Sequence, residues 1–213
     1  LTTRQSTVRP AAMAASEVAP SDVAAYATSG YSAWVAGPGE DSGRRYDLMP
    51  AGYSGSPNAG QLASFFTFSD IHITDKESPA QVPYFGWSSP AGSAGLSASA
   101  WSPVVLSTTQ VLDAAVRTVN ALHEQSPLDF GVVLGDMANS GQYNELRWFI
   151  DVMDGKPITP SSGAHAGAET IDYQKPFQAA GLNPAIPWYA TVGNHDHFWM
   201  GVEYPTAKLQ AGV

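Results

Sequence analysis

Three uninterrupted apolar runs break the otherwise polar and Gly/Pro-punctuated chain, and each gives way at once to polar residues. Leu62–Ser69 holds Phe65, Phe66 and Phe68 without a charge and leads into Asp70-Ile71-His72. Phe130–Leu134 leads into Gly135-Asp136, and Trp188–Val192 leads into Gly193-Asn194-His195-Asp196. Short continuous apolar runs bounded by turn residues read as strands buried on both faces. Between the first two lies a helical period over Thr109–His123, with Val111, Leu112, Ala115, Val116, Val119 and Leu122 on one face. Thr108 or Thr109 is placed to cap it and Pro127 to follow its end. Strand, crossover helix and strand predict parallel pairing with a right-handed connection. A second helix is predicted over Gln142–Asp154, with Leu146, Phe149, Ile150 and Met153 inward and Gly155 ending it. Pro176–Ala180 predicts a short helix stopped by Gly181. If the three runs lie in one parallel sheet, their carboxyl ends share an edge, and open α/β sheets bind ligands in the crevice beyond that edge.

The remainder reads as an arm and two insertions. Residues 1–60 are rich in Ala, Ser, Gly and Pro and predict a surface arm with a turn or two of helix in Val18–Tyr26. Residues 61–213 then form the domain proper, with insertions at about 75–107 and 156–186. Tyr84, Phe85, Trp87 and Trp101 make the first insertion an ordered flap, either over the mouth of the site or over the sheet edge. Tyr84, Phe85, Trp87, Phe198 and Trp199 could stack on a substrate ring, but core packing is the more ordinary use of such residues.

Composition narrows the field. A length of 213 residues suits one domain or a large part of one, and 44% hydrophobic residues suffice for a core. A net charge of −9 argues against nucleic acid or an anionic membrane surface as partner. There is no cysteine, which excludes disulfides and thiolate chemistry. No apolar run reaches the ~18 residues of a membrane-spanning helix. A chain opening on Leu1 fits an exported, periplasmic protein after leader removal as well as a trimmed cytosolic one; export is the expectation adopted.

The strand ends carry the chemistry. Residues two apart on an extended chain point the same way, so Asp70 and His72 could reach one cation. Asp136, at the end of an apolar strand, needs something positive beside it. Asn194 offers a neutral carbonyl ligand, His195 can exchange a proton near neutral pH, and Asp196 could hold the His195 ring. A serine-hydrolase elbow and the Gly-rich nucleotide-binding fingerprints are absent.

Asp70-Ile71-His72, Gly135-Asp136 and Gly193-Asn194-His195-Asp196, in this order, resemble the first three signature blocks of the calcineurin-like metallophosphoesterase superfamily, over roughly residues 62–200. The resemblance implies a mixed α/β (α+β) fold, a β-sandwich flanked by helices, of which this chain would be the N-terminal part. It implies a phosphomonoesterase or phosphodiesterase that acts on a small-molecule phosphoester through a hydroxide bridging two divalent ions, Mn, Fe, Zn or similar. Asp70 and His72 would bind the first ion, Asp136 would bridge, Asn194 would bind the second, and His195 would protonate the leaving oxygen without being a ligand. The family's later blocks, a lone His and then Gly-His-x-His, do not occur in this sequence, and His123, His165 and His197 are poorly placed to replace them. A complementing C-terminal segment or chain is therefore expected. The alternative is a catalytically incomplete domain that binds or scaffolds.

Overall fold

The Ala- and Gly-rich opening contains more regular structure than its composition suggests. Strands β1 (Ser6–Pro10) and β2 (Trp34–Pro38) pair antiparallel, Ser6 opposite Pro38 and Pro10 opposite Trp34. A helix, α1 (Val23–Thr28), lies between them in sequence and overlaps the expected turn. The terminal prolines suit a free two-stranded ribbon, where a missing donor breaks no inner ladder. The computed structural model describes residues 2–11, 23–29, 33–41, 43–57, 59–75, 77, 103–162, 175–197 and 207. The aromatic residues Tyr84, Phe85, Trp87, Trp101, Phe198 and Trp199, with His165, lie outside them, as does most of the first insertion.

After residue 60 the apolar runs become elements in the expected order. These are β3 (Phe65–Phe68), α2 (Thr108–Gln125), β4 (Phe130–Val133), α3 (Tyr143–Met153), β5 (Pro157–Ile158), β6 (Phe177–Gln178) and β7 (Trp188–Ala190). Strands β3, β4 and β7 form a parallel sheet in that order, with Phe65 beside Phe130 and Val133 beside both Phe68 and Ala190. The fold is mixed α/β, as the pattern implied. Among the described residues no helix is long and apolar enough to cross a membrane.

Alternation divides the sheet into two unlike faces. Phe66, Phe68, Val133 and Trp188 pack with Leu112 and Val116 of α2 and with Phe149, Val152 and Met153 of α3. Gly131 leaves room there: a Cβ on it would collide with the Phe66 ring. The Phe149 and Trp188 rings meet edge-on at 6.1 Å. The opposite face shows Phe65, Thr67 and Tyr189 to solvent, and the Phe65 and Phe130 rings stack there at 5.0 Å. Parallel sheets are ordinarily covered on both faces. A second sheet against that open face, as a sandwich would require, is not found among the described residues.

Two local expectations are corrected. Residues 176–180 are not helical: Phe177 and Gln178 form β6, which pairs antiparallel with β5. The backbones of Gly155 and Gly181, both at positive φ, lie so close that a Cβ on Gly181 would stand 2.8 Å from Gly155 Cα. This contact holds the segment extended against the end of α3. The start of α2 is not capped by Thr108 or Thr109. Ser107 occupies the cap position without a side-chain bond, after a 3-10 turn at Pro103–Ser107. The Thr108 hydroxyl instead accepts the Thr74 N–H at 3.1 Å, so it fastens the loop that follows His72.

Phe149 is fully buried where sheet and helices meet. Phe149→Ala is expected to lower stability in urea titration by about 3–5 kcal/mol; a loss under ~1 kcal/mol would contradict this placement of the core.

Candidate metal centre

The loops leaving β3 and β4 are zipped together by main-chain bonds. Asp70 N–H donates to Gly135 O at 3.3 Å, His72 N–H to Asp136 O at 2.9 Å and Ile73 N–H to Met137 O at 2.9 Å, and Asn139 N–H returns to Ile73 O at 3.0 Å. The turn after β7 closes over them. His195 N–H donates to Asp136 Oδ1 at 2.8 Å. Gly193 lies so close that a Cβ there would fall on Asp136 Oδ1 and on its backbone nitrogen.

This close approach coincides with left-handed backbone. Among the described residues the non-glycine residues at positive φ are Asp70 at 55°, His72 at 50° and Asp136 at 54°. Each such residue costs roughly 1–2 kcal/mol, and this kind of strain gathers at functional sites. It also corrects the reason for pairing Asp70 with His72. They do not lie on an extended strand, since β3 ends at Phe68. They come together because both are left-handed.

The side chains converge at the carboxyl edge of the sheet. His72 Nε2 stands 3.8 Å from Asp70 Oδ1 and 3.9 Å from Asp136 Oδ2. These separations are too long for hydrogen bonds, yet they lie within the ~4 Å spanned by two metal–ligand bonds of about 2.0–2.2 Å. The His72 and His195 rings meet edge-on at 4.3 Å. His72, Asp136 and His195 each offer an atom within 4.8 Å of the others, and this group could hold a metal ion. His195, expected beside the metals rather than on them, thus has its ring inside the cluster. Asp70 stands at the exposed rim, where its carboxylate accepts from the Ser69 hydroxyl.

Both rings are aimed by Asn139, a residue the sequence reading missed. Its main-chain carbonyl takes His195 Nδ1 at 2.7 Å, and its side-chain oxygen takes His72 Nδ1 at 3.3 Å. An oxygen acceptor requires the proton on Nδ1, which leaves Nε2 of the neutral His72 ring free to bind a cation and Nε2 of His195 free to take either a cation or a proton. The signal in the sequence was slight: a polar residue three places after Asp136.

Asp196 has a different task from the one expected. Its Oδ1 accepts Ala138 N–H at 2.8 Å and its Oδ2 accepts Gly193 N–H at 2.9 Å, so it ties two loops together while Asn139 holds the His195 ring. Asn194 is exposed between the two residues that touch Asp136, and its carbonyl accepts from His197 N–H at 3.4 Å. His123 accepts Leu128 N–H at 3.0 Å in the last turn of α2 and is not part of the cluster.

Below the loops lies fully buried Glu145. Burial pushes its carboxyl above the usual range, against the pull of main-chain N–H groups from Asp75, Ser140 and Gln142, and the charge of nearby Asp75 adds to the rise.

No family model matches the chain, and no curated protein or solved structure does so either. The structure by itself defines a class: a mixed α/β chain with a histidine–carboxylate cluster at the carboxyl edge of a parallel sheet.

Gly193→Ala is expected to weaken Mn²⁺ binding about 10–100-fold by calorimetry; unchanged affinity in a folded variant would contradict the role of this close contact. A pH effect follows from Glu145. Because its folded-state value is raised, its contribution to stability is complete below the ordinary 4.5 and falls as pH rises from there through the raised value. Denaturation midpoints of Glu145→Gln should lack that descending leg, and a leg of unchanged slope would contradict the direction given.

Proposed function

We propose that this chain carries part of the active site of a metal-dependent phosphoester hydrolase, a phosphomonoesterase or phosphodiesterase working with two divalent ions. One observation carries the reading: the three left-handed non-glycine residues among the described residues, Asp70, His72 and Asp136, are three of the motif's four ligand positions, and they meet at the edge where a parallel sheet binds its ligands. The donor set fits the group. It mixes imidazole nitrogen with carboxylate oxygen, which suits Mn, Fe or Zn. Its ring nitrogens are oriented by Asn139, and among the described residues Asp136 forms no ion pair with a Lys or Arg.

In this reading Asp70 and His72 would hold one ion, Asn194 would hold the second, and Asp136 would serve both. Bound ions would draw charge from the phosphoryl oxygens and make water acidic enough to attack at neutral pH. The protein does the placing. Gly135 and Gly193 let the Asp136 carboxylate sit between two main chains. Asn139 fixes the Nδ1 proton of His195, so that in the imidazolium form the Nε2 proton is directed to the departing oxygen. Two ions need more donors than these residues supply, which supports a further histidine-bearing segment. The open face of the sheet, with Phe65 and Tyr189 exposed, is where such a segment would also complete the core.

Hydrolysis of bis(4-nitrophenyl) phosphate by the full-length protein in Mn²⁺, abolished by chelation, is the expected result. Metal binding without hydrolysis would favour the non-catalytic alternative. His195→Ala should slow esters with poor leaving groups by about 10²–10⁴-fold and activated aryl esters far less; equal losses would remove the proton-donor role. Asp136→Asn should weaken both ions together, and loss of a single ion would exclude bridging.

A further inference from the structure

We propose that Glu145 is a positioning residue that sets the orientation of the His72 and His195 rings by fixing Asn139. Glu145 sits in the first turn of α3, three residues after the cap residue Gln142, and none of it is exposed. Its Oε2 accepts Ser140 N–H at 2.7 Å, and its Oε1 accepts Asp75 N–H at 2.9 Å. One donor is the residue after Asn139. The other lies three residues beyond His72. A single carboxylate therefore locks the loop that carries His72 to the loop that carries Asn139, the acceptor of both rings.

The neighbouring side chain reinforces this lock. Asn144 donates to Asp75 Oδ2 at 2.7 Å, the Ser162 hydroxyl donates to the same oxygen, and Asp75 Oδ1 accepts Glu77 N–H at 3.2 Å. The first turn of α3 thus presents adjacent residues to the loop after β3, one to its main chain and one to its side chain. A carboxylate is suited to this position. It offers acceptors in both directions to converging N–H groups, and it stands at the helix end where backbone dipoles favour negative charge. An amide of the same shape supplies an oxygen for one N–H and turns an NH₂ group against the other. From the Ser140 bond, the path to the rings is one peptide unit long: Asn139 O to His195 Nδ1 and Asn139 Oδ1 to His72 Nδ1.

The effect on metal binding rests on the metal-centre reading; the effect on the rings does not. The test therefore begins on metal-free protein, at a pH well above the ordinary imidazole value of about 6.5. Long-range ¹H–¹⁵N spectra of wild type should show His72 and His195 chiefly as Nδ1–H tautomers. In Glu145→Gln both should shift substantially towards Nε2–H, and Mn²⁺ affinity should then fall about tenfold. Val152→Ala removes an equally buried side chain from α3. It should lower stability and leave the tautomers unmoved. Unchanged tautomers in Glu145→Gln, or an equal shift in Val152→Ala, would overturn the proposal. If Glu145→Gln does not fold, Glu145→Asp, which retreats from both N–H groups, is read in the same way. If neither folds, Glu145 is a structural residue only and the proposal fails.

Discussion

A carboxylate pressed between two glycine backbones governs the architecture of the site. Asp136 is buried and left-handed, it takes His195 N–H on one oxygen, and it holds an imidazole within 3.9 Å of the other. Gly135 meets Gly193 so closely that a Cβ on Gly135 would lie 2.6 Å from Gly193 N. No larger residue fits either position. The strands must therefore end together and in register, and the parallel pairing of β3, β4 and β7 meets that demand. A carboxylate buried this way beside an imidazole ring is costly unless a cation compensates it.

Strain and support are closely matched. The left-handed loops are held by main-chain bonds to one another, by Asp196, which ties the loop after β4 to the turn after β7, and by Glu145, which bonds the loops after β3 and β4. The helices contribute at a distance. Helix α3 packs Phe149 and Val152 into the core and so fixes the depth at which Glu145 meets the loops. The other face of the sheet has no such support among the described residues, and its stacked Phe65 and Phe130 rings remain at the surface. Among the described residues one face of the sheet is thus covered by helices, while the other leaves Phe65 and Tyr189 exposed.

Much of this was legible in the sequence, because apolar period and turn residues act locally. The three strands, both long helices and the meeting of Asp70, His72 and Asp136 followed from them. The misses share a cause. Residues 176–180 were assigned to a helix because nothing local reveals that Gly181 must pack on Gly155. The partner of Thr108 lies in the loop after β3, and Asp196 reaches Ala138 in the loop after β4 as well as Gly193 in its own turn, long-range contacts that no local pattern reveals. Asn139 and Glu145 act through contacts reaching up to 70 positions along the chain, which no spacing rule anticipates. The left-handed backbone at Asp70 and His72 was hidden too, since the extended-chain argument gave the correct pair for a different geometric reason.

The chemistry of the site depends on where a cation sits. Crystals of the protein grown with Mn²⁺ and measured for anomalous scattering test it most directly. The account predicts a peak within about 2.0–2.3 Å of His72 Nε2 and an Asp136 carboxylate oxygen, at ordinary ligand distance. An empty cluster at saturating Mn²⁺, or ions bound only elsewhere on the surface, would contradict it.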